Sequence, residues 1–151
     1  MKKGLLNAVL KAWLVAGTLD ILTACMMYWL RTGKDPLFVL KVVASGALGK
    51  DAYVGGAGTN FLGLLFHFII ALSWTVAYFI IYPKLPKGNW IVMGLIYGIV
   101  VWIGMNLVVL PLSQIGPQPF VLTAAIRGAL VLMIMIGLPI SFVSSRYYGR
   151  V

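Results

Sequence analysis

The sequence predicts an all-α membrane protein: a bundle of four transmembrane helices with a short interfacial or re-entrant helix in the first loop, folded as one domain over residues 1–151. Three observations predict it. Mean hydropathy is +1.01 and only 10% of residues are charged, against about 25% in soluble domains, too few to cover a soluble surface. Four separate apolar runs each reach the roughly 20 residues that cross a hydrocarbon core of about 30 Å. Basic and aromatic side chains gather at the ends of those runs, as membrane boundaries require.

The runs occupy about residues 8–30, 60–82, 90–110 and 120–143. Tyr28, Trp29, Tyr82, Trp90, Tyr147 and Tyr148 stand near their ends. In the first, Leu22-Thr23-Ala24-Cys25 matches a lipobox. Asp20 interrupts the apolar stretch before it, and the chain stays apolar after Cys25, so a span is predicted rather than a cleaved signal. The first connection, Arg31–Thr59, is long. Asp35 is a helix N-cap candidate and Pro36 suits a first helical position. Leu37, Leu40, Ala44 and Leu48 follow at helical spacing, with Gly46 and Gly49 to end the segment. The second connection, with Pro83 and Pro86, is a stiff turn that makes the second and third spans an antiparallel hairpin. The third, Ser113–Pro119, is also short. Pro139, after Gly137, predicts a kink in the fourth span.

Twelve Lys and Arg stand against three Asp and no Glu. The basic residues flank apolar runs and do not alternate with aromatics, which favours lipid head groups and excludes a nucleic-acid surface. Membrane lipids are the expected partners, with a homo-oligomer or a membrane partner protein also open. Seven basic residues (Lys2, Lys3, Lys11, Lys84, Lys87, Arg146, Arg150) fall on the side of the termini. Four (Arg31, Lys34, Lys41, Lys50) fall on the other. That excess predicts both termini in the cytoplasm. A single cysteine, Cys25, forms no internal disulfide, and one His with one Cys makes no metal or haem site within the chain. No cofactor is expected.

Polar residues inside apolar spans are expensive unless they find a partner or water. Asp20, His67, Asn106 and Arg127 each lie in a different span. At about 1.5 Å per residue they fall about 15, 10, 6 and 10 Å below the same membrane boundary. A bundle that gathers them into one polar cluster is the central expectation, with Asp20 and Arg127 as a candidate charge pair. Each has a plainer reading: Asp20 as a structural acid, His67 and Asn106 as interhelical hydrogen-bonders, Arg127 as a snorkelling side chain. The second span carries a stripe of Gly63, His67, Ala71, Trp74 and Tyr78, so Trp74 and Tyr78 are candidate lining residues. Gly94 and Gly98 form a GxxxG match that packing within the chain and dimerisation explain equally well. No carboxylate pair, serine nucleophile motif or phosphate-binding loop is present, so no catalytic residue is assigned and an enzyme is disfavoured.

Two function classes remain. One is a small transport or proton-responsive protein in which Asp20 and His67 titrate. The other is a structural, lipid-binding or accessory subunit in which the same residues fix packing. Gly63–Leu112, with His67, Tyr78, the Pro83–Pro86 turn, Gly94, Gly98 and Pro111-Leu112, resembles bacterial inner-membrane proteins of the YagU-like type. Ala16-Gly17-Thr18-Leu19-Asp20 is similar to an Ala-Gly-x-x-Asp signature in the first span of small four-span proteins. The resemblance implies an inner-membrane location and a contribution to acid tolerance.

Overall fold

Glycines and prolines set the ends of the helices. In the computed structural model, which describes residues 4–86 and 88–149, the chain is all-α, with no strand among the described residues. Lys2, Lys3, Lys87 and Arg150, counted above toward orientation, lie outside the described residues. Helix α1 spans Leu5–Thr32, α2 Phe38–Leu48, α3 Ala57–Lys84, α4 Trp90–Leu112 and α5 Leu122–Tyr148. All but α2 are long and apolar enough to cross a membrane. Gly33 closes α1 at φ 66°, its N–H on the Trp29 carbonyl. That left-handed stop is one a side chain would strain. Asn89 caps α4, its side chain accepting from the Ile91 N–H at 2.8 Å.

The expected helix of the first connection is present, with a later start. Asp35 Oδ1 accepts from the Leu37 N–H at 2.9 Å. Three bonds of i→i+3 type then tighten residues 35–40, so the regular helix opens at Phe38 rather than at Pro36. Gly46 stays inside it, and Gly49, at φ 65° and ψ −148°, ends it. A tight turn over Gly49–Tyr53 leads on toward α3.

Helix α2 is docked on the bundle. Leu40, Ala44 and Ser45 are buried, and a Cβ on Gly63 would collide with the Leu40 carbonyl. Bare backbone at Gly63 is therefore what lets α2 lie against α3. The far end of α2 is tied to the α4–α5 connection: the Gln114 N–H reaches the Gly46 carbonyl at 2.9 Å and Gln114 Nε2 the Ala47 carbonyl at 2.5 Å. Rings of Tyr28, Phe38 and Tyr53 stack at 5.5 and 5.6 Å across α1, α2 and the following turn.

The two ends of the bundle are built differently. At the end carrying the termini, Ala12, Ala16, Tyr78, Phe79, Tyr82, Tyr97, Val101, Ile136 and Ile140 form the core. Gly94 and Gly98 serve this packing: a Cβ on either would strike the backbone of α5 at Gly137 or Met133. The GxxxG match is thus used within the chain. At the opposite, loop end, α5 stands off, and Leu122–Leu132 contains no buried residue. The change falls at a wide π turn, Met133–Gly137, just before Pro139. Proline has no N–H to bond the carbonyl four residues back and clashes with it, and a wider turn accommodates both. The kink expected at Pro139 therefore takes the form of a π turn. Helix α4 has a matching turn, Met105–Val109, before Pro111.

Candidate functional site

Helical spacing assembles one polar cavity at the loop end. On α1, Asp20, Ala24, Met27, Tyr28 and Arg31 sit at i, i+4, i+7, i+8 and i+11, a single face. On α5, Ala124, Arg127, Gly128, Val131 and Leu132 do the same. Trp102 and Asn106 come from α4, Val39 and Val42 from α2. Together these line a cavity of about 500 Å³. Gly128 makes room for the Trp102 indole, whose Nε1 would lie 3.0 Å from a Cβ there. A second cavity of about 180 Å³ lies beside the first, lined by Asp20, His67, Trp74, Val43, Met105 and Ile136 among others. Asp20 is on the wall of both.

Two guanidiniums, Arg31 and Arg127, therefore face one carboxylate, Asp20, across the larger cavity. Among the described residues no hydrogen bond or ion pair joins Asp20 to Arg127. They share the space without touching, where the sequence suggested a pair. Charges on such a wall need water or a ligand, because an uncompensated charge in a low-dielectric setting is costly.

His67 is more tightly held. Its Nε2 lies 2.9 Å from the Gly17 carbonyl. A carbonyl only accepts, so Nε2 carries the hydrogen and donates. A reciprocal bond runs the other way, from Trp13 Nε1 to the Phe68 carbonyl at 2.7 Å. Gly17 permits this approach, since a Cβ there would stand 2.8 Å from the Phe68 ring. Asn106 bonds within its own helix, Nδ2 to the Trp102 carbonyl at 2.8 Å. It also borders a further cavity of about 430 Å³ between α4, α5 and their connection.

The two candidate lining residues part company. Trp74 lines the smaller cavity, its Nε1 3.4 Å from Met105 Sδ and its carbonyl accepting from Tyr97 OH at 2.5 Å. Tyr78 lies away from the cavities, in the packed end. Its hydroxyl donates to Ser141 Oγ at 2.8 Å, and Ser141 donates to the Trp90 carbonyl at 2.7 Å. Arg31 and Tyr28 are site residues that sequence reasoning assigned only to orientation and to the aromatic belt. The i+11 spacing from Asp20 to Arg31 was the signal that could have found Arg31. Among the described residues no group of three or more His, Cys, Asp or Glu gathers to hold a metal.

No protein-family model, curated protein or solved structure matches the chain.

Proposed function

We propose that this is a proton-responsive membrane protein of the small-transport class, whose working site is the loop-end cavity and whose titrating group is Asp20. One observation carries the reading. Asp20 lies at the junction of two cavities, with no hydrogen bond or ion pair joining it to Arg127 among the described residues. A purely structural acid would be paired and dry.

The sign of the response comes from the charges that surround Asp20. Helix α1 contributes Arg31 and Tyr28, α3 contributes His67, and α5 contributes Arg127. Helix α4 contributes the uncharged Asn106, and α2 only valines. With Asp20 ionised, two cations face one anion. A proton on Asp20 removes the attraction and leaves Arg31 and Arg127 as like charges lining one cavity, which repel. The element with most freedom to yield is the Leu122–Leu132 half of α5, none of whose residues is fully buried. Acid therefore opens the loop end. The YagU-like resemblance, with its link to acid tolerance and the inner membrane, points the same way.

The test places a cysteine at Ala124, on the cavity wall, in a Cys25→Ser background and follows maleimide labelling in proteoliposomes at about pH 5 and about pH 7.5. Labelling of the otherwise unaltered protein, divided at each pH by the rate for a free thiol in the same buffer because maleimide reacts with the thiolate, is expected to be several-fold faster at the acid pH. Asp20→Asn should label at the fast rate at both, and His67→Ala, which keeps Asp20, should retain a difference. Proton flux is measured on the same vesicles. Identical labelling and no flux in all three would overturn the reading and leave an accessory or packing role.

A further inference from the structure

We infer that the cavity binds a single-chain anionic amphiphile, with its acidic head between Arg31 and Arg127 and its hydrocarbon chain in an apolar cavity beneath α2. This rests on the loop-end cavity being the working site, as proposed above, and names what it takes.

The apolar cavity measures about 330 Å³ and is walled by Val42, Val43, Ala47, Ile70 and Met105 among others. It joins the polar one through shared walls. Val42 lines both directly. Val43, Ile70 and Met105 line both the apolar and the small cavity, and the small cavity shares Asp20 and Leu132 with the polar one. Ligand sites run to about 300–1,000 Å³, mostly apolar with a few placed polar groups, and this suite has that character.

Charge and dryness narrow the occupant. Two guanidiniums against one carboxylate favour an anionic head, which each can meet with charge-assisted hydrogen bonds. A zwitterionic head would bring a cation against them. A small hydrophilic anion would satisfy the arginines and leave the apolar cavity unused, whereas an alkyl chain gains from burial there. Carboxylate and phosphate heads share this chemistry. Asp20 repels either head when ionised, so neutralising Asp20 tightens binding, and by linkage the bound anion favours the proton.

Equilibrium binding of radiolabelled palmitate to the full chain in phosphatidylcholine nanodiscs at about pH 7.5, against empty nanodiscs, tests this. Saturable binding is expected, with methyl palmitate about tenfold weaker or worse as a competitor. Lysophosphatidate should compete well and lysophosphatidylcholine poorly. Arg31→Gln and Arg127→Gln should each weaken palmitate severalfold, Asp20→Asn should strengthen it, and Val43→Phe should weaken it by narrowing the passage. Methyl palmitate or lysophosphatidylcholine competing as well as palmitate would overturn the inference. So would inorganic phosphate competing at equal concentration, which would show a head site alone. These arms use the unaltered protein and stand even if a variant fails to fold. Palmitate binding without acid-dependent labelling would uphold the inference and refute the proton-responsive reading. Acid-dependent labelling without palmitate binding would do the reverse.

Discussion

At the scale of single residues, the join between α1 and α3 is an exchange of side-chain donors for backbone carbonyls. His67 donates to Gly17 and Trp13 donates to the carbonyl of Phe68, next to His67. His67→Ala removes one of these, and the loss should be about 1 kcal/mol, the scale of interhelical hydrogen bonds in membranes. Gly17→Ala should cost more, about 1–3 kcal/mol, because the new methyl overpacks against a Phe68 ring already held edge-on by Trp13 and His67. Unfolding of both variants in mixed micelles with increasing dodecyl sulfate measures the order. The polar residues of the site were legible because each interrupts an apolar run. Arg31 was not, because a cation at the end of a run has a sufficient reason to be there as a topology signal. Tyr78 misled for a related reason: it shares the stripe of His67 and Trp74, but the helix carries it past the cavity into the packed end. Periodicity gives a face and says nothing of how far down that face a cavity extends.

At the scale of elements, the two π turns determine which side chains α4 and α5 present on either side of them. A π turn contains one residue more than the helix needs, and each added residue rotates one half of the helix against the other by about 100°. Deleting Ile134, an exposed residue within the turn of α5, in a Pro139→Ala background should let the turn become regular helix while Arg127 keeps facing the cavity, because without the ring nothing requires the wider turn. Deleting Leu130, exposed and outside the turn, should rotate Arg127 away. Size-exclusion profile and the labelling rate at Ala124 separate the two: the first variant should behave as the parent, the second should not. Helix α2 offers a simpler contrast. Gly63→Ala must push α2 off α3 and should lower stability by about 1–3 kcal/mol, whereas Gly58→Ala meets nothing within 4 Å and should be neutral or slightly stabilising, read by thermal melting in detergent. Four apolar runs and the capped helix between the first two were visible in composition and spacing. The π turns were not, because their residues read as ordinary apolar helix, and only Pro139 hinted that one turn would deviate.

At the scale of the molecule, α4 and α5 run antiparallel, with Gly94 against Gly137 and Gly98 against Met133, and the packed and open ends lie at opposite ends of the bundle. Lys50, in the first connection, and Lys84, in the hairpin turn, should therefore face opposite sides of the membrane. Cysteines placed there, in intact cells, are expected to react with an impermeant maleimide from one side only, Lys50→Cys reactive and Lys84→Cys protected. The packed end has a further consequence, which is electrical. Water filling the loop-end cavity, as the proposed function requires, would carry the potential of that side down to Asp20, so the transmembrane field would fall across the packed layer of Tyr78, Ser141 and their neighbours. A charge that crosses the whole field changes energy by about 2.3 kcal/mol per 100 mV, but a proton reaching Asp20 from the open side crosses almost none of it. Acid on the loop side should move the labelling rate, corrected for the thiolate fraction, at any membrane voltage, acid on the other side should leave it unchanged, and a valinomycin-imposed potassium potential should do nothing. The protein would then read the pH of one compartment and be blind to the voltage between the two.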